Sequence, residues 1–319
     1  MTDDRALARF RLDLDRLLPS GRLGVAVSGG PDSLALLLLA AATRPGEVEA
    51  ATVDHGLRAG SAEEAEAVAA VSERLHVRHC TLRVTVADGS SLQAQAREAR
   101  YEALERWALE RGLAAIATAH HADDQAETLL MRLTRGAGLS GLAGVRERRS
   151  LGELLLIRPL LRWRKAELVA IVAGAGVMAA EDPSNADPRH DRTRIRQLLA
   201  EAPLLDVERL AASAGHLSEA EEALSYAAGE LYVARAKEDH GAILLRATDL
   251  PRELKRRLVL LAIERLGAAA PRGPDLDRAL QSLNQGRACT LGSLKLEGGA
   301  VWRLSPAPPR RLSSRPAGS

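Results

Sequence analysis

Short apolar runs alternate with longer segments of helical period through the first half of the chain. Residues 23–27, 48–53, 77–86, 113–118 and 154–160 have the length and apolar content of strands. Between them, residues 34–42, 62–75 and 92–111 are rich in Ala, Leu, Glu and Arg, which favour helix. Strand and helix in alternation predict an α/β fold with an open, mostly parallel sheet covered by helices. In such a sheet ligands bind outside the carboxyl ends of the strands.

The pattern breaks at residues 135–144, where Gly136, Gly138, Gly141 and Gly144 are too dense for helix and predict a flexible loop. A helix over 165–173 leads to a turn at Glu181-Asp182-Pro183-Ser184-Asn185, and a further helix carries Arg192, Arg194 and Arg196. Past Pro203 the pattern is mostly helical, over 207–237, 251–266 and 275–284. Short strands at 242–246 and 288–296 make this a small α+β domain. Pro306, Pro308, Pro309 and Pro316 mark a tail expected to be disordered. The expected division is therefore 1–205, 206–305 and a tail 306–319.

Composition changes this picture little. A chain of 319 residues suits two domains at roughly 150 residues each. No apolar run reaches the ~18 residues of a membrane span, and the charged N-terminus lacks a signal-peptide core, so a cytoplasmic protein is expected. Cys80 and Cys289 match no metal or redox spacing. The net charge of +2 does not by itself announce a nucleic-acid binder. Residues 146–196, however, hold 11 basic against 7 acidic side chains. The aromatic residues are few, and Trp163, between Arg162 and Arg164, is a candidate for stacking on a base as much as for the core.

Three predicted strand ends carry polar clusters, as one shared site requires. The first is Ser28-Gly29-Gly30-Pro31-Asp32-Ser33. Small residues between a strand and a helix start let the backbone approach phosphate, where N–H groups and the helix N-terminus supply donors and partial positive charge. The Lys of the usual P-loop is missing, so backbone and serines must hold the phosphate. Asp32 is placed to hold Mg²⁺ or to orient a group. The second cluster is Asp54-His55-Gly56-Leu57-Arg58, and the third is His120-His121-Ala122-Asp123-Asp124-Gln125. For the third, a metal site at the His pair and helix capping by Asp123 or Asp124 are the alternatives to catalysis.

The sequence Ser-Gly-Gly-Pro-Asp-Ser after the first strand resembles the pyrophosphate loop (PP-loop) of the N-type ATP pyrophosphatases, which have a Rossmann-like fold. The series then continues with Val53 to Arg58, Ala99-Arg100-Tyr101 with Leu104, and Thr118 to Thr128. Arg135-Gly136-Ala137-Gly138, Arg158-Pro159-Leu160-Leu161, Glu181 to Asn185 and Arg194-Ile195-Arg196 complete it. In combination these closely resemble the tRNA(Ile)-lysidine synthase family over residues 23–200. The resemblance implies an enzyme that uses ATP to adenylate O2 of the wobble cytidine in an isoleucine tRNA with a CAU anticodon. Free L-lysine then displaces AMP at C2 to give lysidine. It also implies that residues 206–305 recognise tRNA, and it allows a homodimer.

That chemistry sets demands. Ser28, Gly29, Gly30, Pro31, Asp32 and Ser33 would hold ATP, with Asp32 as the Mg²⁺ ligand and Arg100 as a cation near the phosphates. Lysine attacks only as a neutral amine. With a reference pKa of about 10.4, about one molecule in 2,500 is neutral at pH 7, a penalty of about 4.6 kcal/mol. His121 and Asp124 are the favoured groups for offsetting it. His55, Arg58, His120, Asp123, Arg192, Arg194 and Arg196 are candidates for substrate or tRNA contact, the last three against a plain exposed helix face. Other readings are a tRNA thiolase of the same fold, an amidotransferase of that fold, and a non-catalytic nucleotide- or tRNA-binding protein. No CxxC pair supports the first, and no glutaminase nucleophile supports the second.

Overall fold

The computed structural model describes residues 3–54, 56, 61–85, 92–180 and 191–307. His55, Arg58, the turn expected at 181–185 and the tail from residue 308 lie outside the described residues. The chain forms two compact units, Met1–Ser218 and Glu219–Ser319. Among the described residues no helix is long and apolar enough to cross a membrane.

In the first unit, strands β1 (Leu23–Ala26), β2 (Val48–Asp54), β3 (Arg78–Arg83), β4 (Ala115–Ala117), β5 (Arg148–Leu151) and β6 (Leu154–Ile157) form one sheet. Their order is β3-β2-β1-β4-β6-β5, parallel throughout except for the β5–β6 hairpin. Strand β1 lies at the centre, Val25 facing Ala50 on β2 and Ala117 on β4. Connections leave it toward both edges, so a crevice opens at its carboxyl end. The polar strand β5, Arg-Arg-Ser-Leu, is invisible to an apolar-run criterion because it is a solvent-facing edge.

Helices α1 (Asp4–Leu17), α2 (Pro31–Thr43) and α3 (Ser61–Arg74) precede α4 (Leu92–Glu110) and α5 (Ala122–Leu133) in the chain; α6 (Leu139–Leu142), α7 (Lys165–Gly174) and α8 (Asp191–Glu201) follow. Helix α2 is apolar on every side because the sheet covers one flank while α1 and α7 cover the other. Helix α4 backs the opposite face, where Leu104 and Trp107 pack with Ile116 and Leu156. Helix α1, not predicted, buries Phe10, Leu14 and Leu17 along one stripe and is capped by Asp3, which accepts from the Arg5 N–H.

Trp163 is core rather than a stacking platform. It is 1% exposed and packs edge-on against Phe10. Its indole N–H donates to Asp13 at 2.9 Å, and the Arg9 guanidinium lies 4.2 Å from its ring centroid. Trp163→Phe should keep most of the packing and lose the bond to Asp13, lowering unfolding free energy by about 1–2 kcal/mol in urea titration. An unchanged midpoint would mean that the bond contributes nothing.

The glycine-dense stretch is fastened rather than loose. It contains the one-turn helix α6, and Arg132 donates to the carbonyls of Gly141 and Gly144. Gln125 accepts from the Val145 N–H at 2.6 Å and donates to the Val145 carbonyl at 2.9 Å. Gly144 has φ +66, and a Cβ there would meet the Gln125 amide oxygen at 2.6 Å. Glycines without side-chain contacts of their own are held here by neighbours that bond their backbone.

Helix α9 (Val207–Arg235) starts in the first unit and ends in the second, where α10 (Arg252–Arg265) and α11 (Gly273–Asn284) follow. A five-stranded antiparallel sheet joins them: β7 (Ala236–Asp239), β8 (Ala242–Leu245), β9 (Ala288–Leu291), β10 (Leu294–Glu297) and β11 (Trp302–Pro306), in the order β7-β8-β11-β10-β9. The single strand expected over 288–296 is a hairpin, β9 and β10 turning at Gly292 (φ +59) and Ser293. Strands β7 and β11 were not predicted. Their charged or mixed sequences hide them, and Pro306 closes β11. Trp302, Leu296, Leu258 and Leu280 form the core of this unit.

Candidate active site

Where β1 ends, Gly29 adopts φ +84, a left-handed conformation that glycine reaches without steric cost. Gly30 is the N-cap of α2 and Pro31 its first residue, so Asp32 stands in the first turn. The Ser33 hydroxyl donates to the Gly30 carbonyl at 3.0 Å and accepts from the Ser28 N–H at 3.1 Å. The Ser28 and Ser33 hydroxyls are 3.3 Å apart. Ser33 thus shapes the turn from inside. The N–H groups of Gly29, Gly30, Asp32 and Ser33 donate to nothing among the described residues, a set of donors suited to phosphate. The Gly29 carbonyl accepts from the Ala180 N–H at 3.0 Å, tying the turn to the segment after α7.

After β4 the chain brings His121 to the same place. His121 is the N-cap of α5 and is 3% exposed; its N–H donates to the Asp124 carboxylate at 3.2 Å. Asp123 and Asp124, the alternative capping residues, instead occupy the first turn, pointing their carboxylates back at the imidazole. His121 Nε2 is 3.4 Å from Asp32 Oδ2 and 3.5 Å from Asp124 Oδ2, and Nδ1 is 3.6 Å from Asp123 Oδ2. Burial works against protonation, but Asp123, Asp32 and Asp124 together outweigh it and push the imidazole up to about 10. At neutral pH it is a cation among three carboxylates. Asp32 Oδ1 is buried with no hydrogen-bond partner among the described residues.

Asp123 looks inward. It accepts from the Lys165 N–H at 2.8 Å and from the Arg164 guanidinium at 3.3 Å. Burial alone would raise its pKa, but His121, the Lys165 N–H and Arg164 hold it well below the carboxylate range. The Ala122 N–H donates to the Trp163 carbonyl at 2.8 Å. Two stitches therefore join the start of α5 to the chain entering α7.

His120 has the opposite electrostatics. Burial and Arg158, with Arg97 and Arg192 behind, push it down to about 4 against the pull of Asp124. Its Nδ1 accepts from Arg158 Nε at 3.3 Å, which leaves the proton of a neutral ring on Nε2. The ring is a donor, not a base.

One turn beyond Asp124 stands Glu127, 3% exposed, a residue that no sequence argument singled out. It receives Arg196 Nε at 2.6 Å and Arg192 Nε at 3.0 Å, which clamps α8 onto α5. Burial raises its pKa against the pull of Arg196. The signal available was spacing, since Glu127 is three residues from Asp124 on one helix face. Arg194 is exposed and has no partner among the described residues.

The structure thus brings together Asp32, His121, Asp123 and Asp124, and sets His120, Glu127, Arg192 and Arg196 around them. Arg100 stands exposed on α4, next to the buried Tyr101. At the end of β2, Asp54 accepts from the Gly56 N–H at 2.9 Å.

The model of a PP-loop domain family matches residues 4–202. The tRNA(Ile)-lysidine synthase of Novosphingobium aromaticivorans is 50% identical over 315 residues, 98% of this chain and 97% of its own length. That of Zymomonas mobilis is 44% identical, covering 92% of this chain and 90% of its own. Among solved structures, a U34-tRNA thiolase from Methanococcus maripaludis aligns with a TM-score of 0.55 at 19% identity, over 67% of this chain and 79% of its own, which shows a common fold.

Proposed function

The chain belongs to the tRNA(Ile)-lysidine synthases, ATP-dependent ligases of the PP-loop group that form lysidine in tRNA, and from that membership we propose how its residues divide the work. The turn Ser28, Gly29, Gly30, Pro31, Asp32 and Ser33 grips the pyrophosphate of ATP through its unpaired N–H groups and the α2 N-terminus. The cytidine O2 attacks the innermost phosphorus, and the bond to pyrophosphate breaks. Arg100 is the cation assigned to the phosphates.

Asp32 is the magnesium ligand in this reading. Its buried, unpartnered Oδ1 fits a hard cation, and Mg²⁺ characteristically takes one or two carboxylates plus substrate phosphates. A bound Mg²⁺ would neutralise charge building on the phosphate oxygens.

Free L-lysine is the second substrate. Its side-chain amine attacks C2 of the adenylated cytidine, AMP leaves with the C2–O bond, and the amine's proton passes to a base. Asp124 is that base. His121 is already protonated and His120 keeps its free nitrogen as a donor, so the carboxylate is the acceptor left. His121 compensates the carboxylates around it and holds Asp32 and Asp124 side by side. Asp123 orients His121, while Glu127 with Arg192 and Arg196 walls the site, leaving Arg194 to face tRNA. The C-terminal unit is assigned to tRNA recognition. One chain carries every group invoked, so the reading holds for a monomer or a homodimer.

The observation that carries this reading is the meeting of Asp32, from the end of β1, with His121 and Asp124, from the end of β4. Incubation with ATP, labelled lysine and a CAU-anticodon isoleucine tRNA should place label on one cytidine. Pyrophosphate release without label in the tRNA would remove lysine from the scheme.

A further inference from the structure

Around the site Arg164, Arg192 and Arg196 are each paired with a carboxylate, a pattern to which other arginines near it do not conform. Arg97 on α4 and Arg149 on β5 are exceptions. Neither has an ion pair among the described residues, and both lie against one aromatic ring. The Arg97 Cζ is 5.1 Å and the Arg149 Cζ 4.5 Å from the Tyr101 ring centroid. Arg97 also donates to the Tyr101 hydroxyl at 3.4 Å. Beneath them Arg158 is buried, spending its donors on His120 and on the Arg146 carbonyl at 2.5 Å. Burial lowers the Arg158 pKa, and Arg149 and Arg97 lower it further against the pull of Tyr101.

Like charges gathered with no carboxylate bonded to them among the described residues repel one another, and an anion would relieve that repulsion. A guanidinium held against a ring by cation–π attraction is fixed in place, and the exposed Arg97 and Arg149 each keep a forked N–H edge, from which Arg97 gives one bond to the Tyr101 hydroxyl. Such an edge matches two phosphate oxygens. Tyr101 itself is nearly covered and cannot stack on a base. The cluster adjoins His120, hence the catalytic strand ends.

We propose that Arg97 and Arg149, held on Tyr101 above Arg158, bind the sugar–phosphate backbone of the tRNA beside the nucleotide being modified. The proposal rests on the lysidine-synthase reading for its substrate and adds a contact surface to it. Two phosphate contacts of this kind predict a share of the binding that falls steeply with salt.

The test measures Kd for CAU-anticodon tRNA across a salt series, with steady-state KM for tRNA and for ATP. Arg97→Gln with Arg149→Gln should weaken tRNA binding by about tenfold and flatten the log–log salt slope by about 1.4–1.8. KM for tRNA should rise while KM for ATP holds. Arg97→Lys with Arg149→Lys should restore the salt slope, because charge is kept, and only part of the affinity, because the forked edge is lost. Unchanged tRNA affinity and slope in the glutamine pair would overturn the proposal. So would a rise confined to KM for ATP, which would make the cluster a triphosphate site. A lysine pair whose salt slope stays as flat as that of the glutamine pair would trace the loss to packing on Tyr101 and would equally overturn it. If the wild-type protein itself bound no tRNA, the lysidine-synthase reading would fail; this inference fails alone when wild type binds and the glutamine pair binds equally well.

Discussion

Asp32→Ala is expected to reduce tRNA-dependent pyrophosphate release by at least about a hundredfold while tRNA affinity stays within a few-fold. The side chain stands in the first turn of α2, one oxygen 3.4 Å from the His121 cation and the other buried without a partner. Removing it deletes the proposed cation ligand beside the N–H groups proposed to hold phosphate and leaves the bend intact. The bend depends on Gly29, Gly30 and the Ser33 hydroxyl instead. Asp32→Asn separates charge from shape. It should fail nearly as badly, because an amide oxygen is a weaker ligand and its NH₂ would face an imidazolium. A variant that still adenylates tRNA at the normal rate would end the assignment.

Asp124→Asn should depress lysine transfer by about 10²–10⁴-fold, as the loss of a general base does, and His121→Ala should depress it too, by removing a compensating cation. They should differ in how they do so. Asp124→Asn leaves Asp32 and His121 in place, so pyrophosphate release should continue and adenylated tRNA should accumulate. His121→Ala leaves Asp32, Asp123 and Asp124 without the cation that compensates them, so both half-reactions should suffer. Following pyrophosphate and lysine incorporation in a single turnover distinguishes the two patterns. Normal lysine incorporation in both variants would take the cluster out of the mechanism.

The central strands were legible because each is buried on both faces and reads as an apolar run; residues 23–27 and 113–118 are the clearest. The bend after β1 was legible because only small residues can make it. Strand β5 was not, since an edge carries Arg and Ser where a central strand carries Val. Helix α1 keeps its Phe10–Leu14–Leu17 stripe among Arg and Asp, and the charges masked the period. In the site, residue types pointed to His121, Asp123 and Asp124 as a group, but their division of labour depends on distance. Neighbouring histidines with opposite protonation cannot be told apart from sequence, since Arg158 lies 38 residues from His120 and meets it only in the fold. Glu127 escaped notice because its partners come from α8, over sixty residues away.

A chain of direct contacts runs from the first helix to the reacting centre. Asp13 holds the Trp163 indole, the Trp163 carbonyl holds the first N–H of α5, and the N–H of Lys165 holds Asp123 against His121. The amino-terminal helix contributes no atom to this cluster, yet it acts as a strut that fixes where the His121 imidazole can point. Wear on that strut, by trimming or by a bulky fusion at the chain's beginning, would be felt at the opposite end of the linkage as a misaimed imidazole.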